Sequence, residues 1–230
     1  MQKLFLGIVV LVVLLIGCNN NETTSIQGEI YSVDRKKQEL IIYVEDTLTN
    51  SQRETMDFDK EEKIIEAFLI KAENAGVTGD VMTLDELKNE QKVTVEITGK
   101  YKKELVTVNT LFDEIEKLPV YDAEKVTVTP YSKDDLVEEM TVEKGKYALY
   151  IYNPKPNEEG LYSPPDTMDV FHQMSMITSP NEVKNTKQLL ELYANSPTYI
   201  VTNHEGIIYK TDDEEEMNDF ARSLEKKEIN

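Results

Sequence analysis

Ser196-Pro197-Thr198-Tyr199-Ile200-Val201-Thr202-Asn203-His204-Glu205-Gly206-Ile207-Ile208-Tyr209-Lys210 decides how the folded part of this chain is read. Two runs rich in β-branched and aromatic residues flank Asn203-His204-Glu205-Gly206, which predicts a β-hairpin with a glycine turn. Beyond it, Asp213 opens a helix whose Met217, Phe220, Ala221 and Leu224 recur on one face. Ahead of it, Ser179-Pro180 predicts the start of a helix carrying Val183, Leu189, Leu190 and Tyr193, with proline tolerated at the first helical position. Further back, Tyr147 to Tyr152 contains no strongly polar side chain, as expected of a central strand buried on both faces. Lys125 to Val128 predicts a strand, and Ser132 caps a helix with Leu136, Val137 and Met140, ended by Gly145. Residues 153–165 hold four prolines and one glycine and predict a loop. Val170 to Ile177 is a strand or a helix.

The order helix, Pro197-Thr198, apolar strand, glycine turn, apolar strand, terminal helix resembles the C-terminal half of thioredoxin-like proteins. Strand 126–129, helix 132–140 and strands 147–152 and 170–177 supply the other half, so the resemblance covers about residues 125–230. In that family the proline is cis and lies beside the active site. The redox chemistry needs a thiolate at the start of the helix after the central strand, lowered in pKa by the helix dipole, and a second cysteine to resolve the mixed disulfide. The matching stretch here is Asn153-Pro154-Lys155-Pro156-Asn157, and the chain's one cysteine is elsewhere. The resemblance therefore implies the scaffold without thiol exchange. Tyr150, Tyr152, Tyr162 and Pro197 lie at the corresponding edge, where Tyr152, Tyr162 and Pro197 form a candidate groove for an extended peptide; core packing is the alternative for Tyr150 and Tyr152.

The first half is richer in strands. Ile26 to Val33, a turn at Asp34-Arg35-Lys36-Lys37 and Glu39 to Val44 predict a hairpin. A third strand is expected over 54–58. Asp59 and Glu62 have capping-box spacing, and Ile64, Ile65, Phe68, Leu69 and Ala72 fall at helical intervals, predicting a helix that ends near Gly76. Thr83 and Glu86 make a second capping box over one short turn. Lys92 to Ile97 and Leu105 to Val108 alternate as strands. The order strand, strand, strand, helix, strand, strand resembles an OB-like barrel over residues 26–112; a plain α+β sandwich is the alternative. Residues 113–124, with Pro119 and mixed charges, are read as the linker. The expected class is α+β or α/β, a small OB-like barrel followed by a thioredoxin-like domain.

At the start of the chain, Met1-Gln2-Lys3 precedes the uninterrupted apolar run Leu4 to Ile16. That run is shorter than the roughly 20 residues needed to span a bilayer and suits the apolar core of a signal peptide. Leu15, Ile16, Gly17 and Cys18 resemble the lipobox of bacterial lipoproteins. The resemblance implies that residues 1–17 are removed, that the Cys18 thiol carries a diacylglycerol, and that 18–25 form a tether at the outer face of the cytoplasmic membrane. An ordinary signal peptide or an uncleaved anchor is the other reading. Stable anchoring needs more than one acyl chain, each contributing about 0.8 kcal/mol per buried methylene.

Without residues 1–17 the chain keeps 24 Lys and Arg against 44 Asp and Glu, a formal charge of −20. Such a polyanion does not bind nucleic acid by neutralising phosphates, and anionic headgroups repel it. Expected partners are membrane lipid through Cys18 and a protein or peptide. The two histidines, His172 and His204, stand in a candidate strand and a hairpin turn without a triad setting. There is no phosphate-cradling glycine loop. Asp57, Asp59 and Glu61 alternate, but glycine is missing from the sixth position of an EF-hand and glutamate from the twelfth. Asp212 to Glu216 is an acidic run where a helix dipole favours negative charge. The expected function is a non-catalytic, lipid-anchored accessory protein with no cofactor or metal. A divalent-cation-binding or cation-dependent hydrolytic domain and a structural or immunity-type surface lipoprotein are the alternatives.

Overall fold

The computed structural model describes residues 23–45, 64–107, 110–111, 115–156, 160, 162 and 165–228. It is a mixed α+β structure, mostly strands, in two sheets. The chain divides into two units, one running to Asn89 and resuming over Val93–Val128, the other made of Glu90–Lys92 and Thr129 onward. Among the described residues, no helix is long and apolar enough to cross a membrane.

The first unit begins with β1 (Thr23–Asp34) and β2 (Glu39–Glu45), paired antiparallel. Their turn forms because Asp34 Oδ1 accepts from the backbone N–H of Lys36 and Lys37, at 3.0 and 3.1 Å, the local bond that makes aspartate a turn residue. β3 (Ile64–Lys71) pairs antiparallel with β2. β4 (Gly76–Gly79), β5 (Lys92–Thr98), β6 (Leu105–Thr107) and β7 (Val120–Val128) complete the sheet. Its order is β4-β7-β5-β1-β2-β3-β6, and β7 also pairs parallel with β3. The pairings β1–β2–β3–β7–β5–β1 therefore return to their start. Phe68, Ile70, Ile30, Ile42, Val93, Val95 and Val126 pack together in one buried cluster. Ile65 and Ala67 point the other way, into a second cluster with Val106, Leu111 and Leu118.

That two-sided burial corrects the helix expected through residues 64–72. Ile64, Ile65, Phe68, Leu69 and Ala72 satisfy helical spacing, but Ile65 and Ala67 face one cluster while Phe68, Ile70 and Ala72 face the other, which is the alternation of a strand buried on both sides. The third strand expected at 54–58 and the cap at Asp59 lie outside the described residues. The stretch read as linker 113–124 is corrected too. Its second half enters β7, whose Val120–Asp122 pairs with β3 and whose Ala123–Val128 pairs with β5. The strand expected to open the thioredoxin-like half, from Lys125, is thus the end of β7 in the first unit.

The second unit holds a four-stranded sheet of order β11-β10-β8-β9. β8 (Ala148–Tyr152) is buried along its whole length, and β9 (Gln173–Ile177) runs parallel to it. β10 (Thr198–Asn203) is antiparallel to β8 and forms a hairpin with β11 (Gly206–Thr211). Helix α1 (Lys133–Glu139) starts where the Ser132 hydroxyl accepts from the Asp135 N–H at 3.1 Å and Asp135 answers at the Ser132 N–H, 2.8 Å. The helix expected from Pro180 is reduced to turns and one short α2 (Thr186–Leu189). α3 (Glu214–Glu228) is capped by the Asp213 carboxylate, which accepts from the N–H groups of Glu215 and Glu216 at 2.8 and 3.2 Å.

Alternation along β8 separates two cores. Ala148, Tyr150 and Tyr152 meet α1 and Leu190 on one face. Leu149 and Ile151 meet Val201, Met217, Ala221 and Leu224 on the other. Tyr209 stacks on Phe220 with ring centres 4.2 Å apart.

Candidate functional site

A cleft of about 240 Å³ opens in the second unit, where the C-terminal ends of parallel β8 and β9 meet the start of β10. In sheets with parallel strands this carboxyl edge is the usual ligand site, because the chain departs there in loops while the strands hold their positions. Apolar walls come from Ile151, Pro154, Pro165, Met176 and Pro197. Tyr199, Lys155, Asp212 and Glu214 supply the polar groups.

Tyr199, Asp212 and Glu214 are held by side-chain hydrogen bonds. The Ser196 hydroxyl donates to Asp212 Oδ2 at 2.9 Å, tying the residue before Pro197 to the turn that enters α3. The Tyr199 hydroxyl donates to Glu214 Oε2 at 3.4 Å. Burial of the Tyr199 ring, reinforced by the Glu214 carboxylate, pushes its pKa up to about 12, so the phenol keeps its proton and remains a donor at neutral pH. The buried Thr198 hydroxyl accepts from the Tyr193 N–H at 2.9 Å. The Pro197-Thr198 step thus anchors the cleft wall to the preceding segment. Ser196–Pro197 is not cis, unlike the proline of thioredoxin-like proteins.

Of the residues expected to form a groove, Pro197 lines this cleft. Tyr152 is 6% exposed and turned to the opposite face of β8, with its hydroxyl 4.0 Å from the Met140 sulfur. Burial there, with Tyr150 beside it, raises its pKa to about 12. Tyr150 is also on that face, its hydroxyl accepting from Gln173 Nε2 at 3.3 Å. Tyr162 is exposed and is not among the lining residues. Ile151 was recoverable by parity, since in a strand buried on both sides the neighbour of an inward Tyr152 must serve the other face. Asp212 and Glu214 were visible as acids at a helix start, but nothing in the sequence showed that the turn passes beside Pro197.

The carboxylates of Asp212, Asp213, Glu214 and Glu216 in the acidic run are engaged in hydrogen bonds. Asp213 caps α3, Glu216 accepts from the Thr211 hydroxyl at 2.8 Å, and Asp212 and Glu214 accept from Ser196 and Tyr199. Among the described residues, no group of three or more His, Cys, Asp or Glu side chains is arranged to hold a metal ion. Asp57, Asp59 and Glu61 lie outside the described residues, as do Leu15, Ile16, Gly17 and Cys18. His172 precedes β9 and is exposed, with Nε2 3.2 Å from Lys146 Nζ. His204 sits in the β10–β11 turn beside Glu205. No family model, curated protein or solved structure matches this chain.

Proposed function

We propose that this chain is a lipid-anchored, extracytoplasmic accessory protein that binds a protein or peptide partner in the cleft of its second unit and performs no catalysis. The cleft carries this reading. It joins apolar walls from Ile151, Met176 and Pro197 to a few positioned polar groups, the composition expected of a binding site for an extended side chain or backbone. Leu15-Ile16-Gly17-Cys18 supports the anchor, since acylation at Cys18 puts the chain's single thiol in the membrane. The same fact leaves the folded part without a thiol for disulfide exchange.

The finer fold reading rests on the strand pairings. The circuit β1–β2–β3–β7–β5–β1, with β3 and β7 parallel, supports an OB-like barrel. The order β11-β10-β8-β9, with β8 and β9 parallel, β10 antiparallel and a terminal helix, supports a thioredoxin-like core. In that core the connection after β8 leaves through Asn153, at φ 51°, and two prolines, with no helix over 153–156.

The test is a photoreactive residue at Met176 in the membrane-bound full chain, compared with one at Lys37, an exposed side chain of the β1–β2 turn. A partner joined from position 176 and absent from position 37 is the expected result. Identical products from both positions, or none from 176, refute binding at the cleft.

A further inference from the structure

We propose that the occupant of this cleft is an extended, basic peptide segment that pairs with β9 as a fifth strand and sets a lysine or arginine side chain against the carboxylates of Asp212 and Glu214. The proposal deepens the binding reading above and rests on it.

The two edges of the second sheet are built differently. Exposed edges recruit other strands unless charge, proline, a bulge or a covering element blocks them. β11 carries Lys210, its hairpin is bulged between Val201 and Thr202, and its Tyr209 is stacked beneath Phe220 of α3. β9 reads Gln173-Met174-Ser175-Met176-Ile177, with no charge and no proline. Its register with β8 is unbroken from Ala148–Gln173 to Tyr152–Ile177. Among the described residues β8 is its one strand neighbour. Among the described residues of β9, no charge, proline or bulge guards this edge.

The edge and the cleft share Met176, which is 40% exposed. A strand added beside β9 lies about 4.8 Å from it and turns alternate side chains to one face of the sheet, so the segment residue that stands beside Met176 on that face is offered to the cleft. Main-chain bonds then supply affinity and the cleft supplies selection. Methionine suits such a wall, because its flexible thioether adapts to different side chains.

Charge selects the class of segment. Asp212 and Glu214 line the cleft with Lys155. Their contacts are the neutral hydroxyls of Ser196 and Tyr199, and among the described residues neither makes an ion pair. Two carboxylates against one ammonium leave the cleft negative, within a chain of formal charge −19. A lysine or arginine side chain meets that field favourably and an acidic one is repelled. An anionic lipid headgroup is disfavoured for the same reason.

The test is fluorescence anisotropy on the full chain in neutral detergent, with three labelled peptides of about ten residues. They are alternating Lys-Val, alternating Glu-Val, and the Lys-Val peptide N-methylated at every second amide, which blocks strand pairing and keeps the charge. Lys-Val should bind, and the other two should bind about tenfold or more weakly. The double substitution Asp212→Asn, Glu214→Gln should weaken Lys-Val by about three- to tenfold, the range of two partly exposed charge pairs, with an unchanged far-UV spectrum. Equal binding of the N-methylated peptide overturns strand pairing. Equal binding of Glu-Val, or an unaffected double variant, overturns the basic selection. If none of the three binds while position 176 still crosslinks a partner, this inference fails and the binding reading stands. If position 176 crosslinks nothing, both fail.

Discussion

Replacing Phe68 and Leu69 one at a time separates the strand from the helix that their spacing mimics. In the structure Phe68 is fully buried in the larger apolar cluster of the first unit. It meets Tyr101 edge-on at 5.5 Å and Tyr121 at 6.1 Å. Phe68→Ala removes the ring, leaves a cavity between two tyrosines, and should cost about 3–5 kcal/mol. Leu69 is only half-buried, and its backbone bond to Pro119 O, at 2.9 Å, survives truncation. Leu69→Ala should cost about 1–2 kcal/mol, the transfer term of a partly buried side chain. With a urea slope of about 2 kcal/mol per molar, the two midpoints should fall by roughly 2 M and 0.5–1 M. The chain has no tryptophan, so the transition is followed by far-UV circular dichroism. On a helix, adjacent Phe68 and Leu69 share the buried face. Equal losses for the two variants would therefore refute the strand.

Three further outcomes follow from the geometry. Gly79 has φ +100° and a Cβ there would stand 2.0 Å from Val128 O, whereas Gly99 has φ +98° with open space around it. Gly99→Ala should therefore show only backbone strain, about 1 kcal/mol, and Gly79→Ala clearly more by the same denaturation assay, with loss of the β4–β7 pairing in hydrogen exchange. Asp213→Ala should destabilise by about 1 kcal/mol through loss of the α3 cap, and Asp213→Asn by less, as read from thermal melts. Tyr152 and Tyr199 are raised from 10.0 to about 12. Because the folded state holds these protons more tightly than the unfolded one, their contribution is complete below pH 10 and is lost as pH rises through about 12. Urea midpoints should fall across that window, and less steeply in Tyr199→Phe.

The parts of the fold that could be read in the sequence are those fixed by local chemistry. Asp34 makes its own turn, Ser132 and Asp213 cap their helices, and the Gly206 hairpin forms where its turn residues predict. What escaped depends on distant partners. Ile64 to Lys71 looks helical because a strand buried on both sides has no polar alternation to betray it. The charges of Asp122 and Glu124 disguise the first part of β7 as a linker, although Ala123 turns inward. The cleft was legible only in part. Pro197 marked its place, while the approach of Asp212 and Glu214 depends on how β11 hands the chain to α3.

The proposed anchoring through Cys18 is tested most directly at the N-terminus. Mass spectrometry of the protein isolated from membranes should find a chain that begins at Cys18 and carries the mass of a thioether-linked diacylglycerol, and Cys18→Ala should release the protein from the membrane fraction. A mature chain that retains residues 1–17, or an unmodified Cys18, would contradict it.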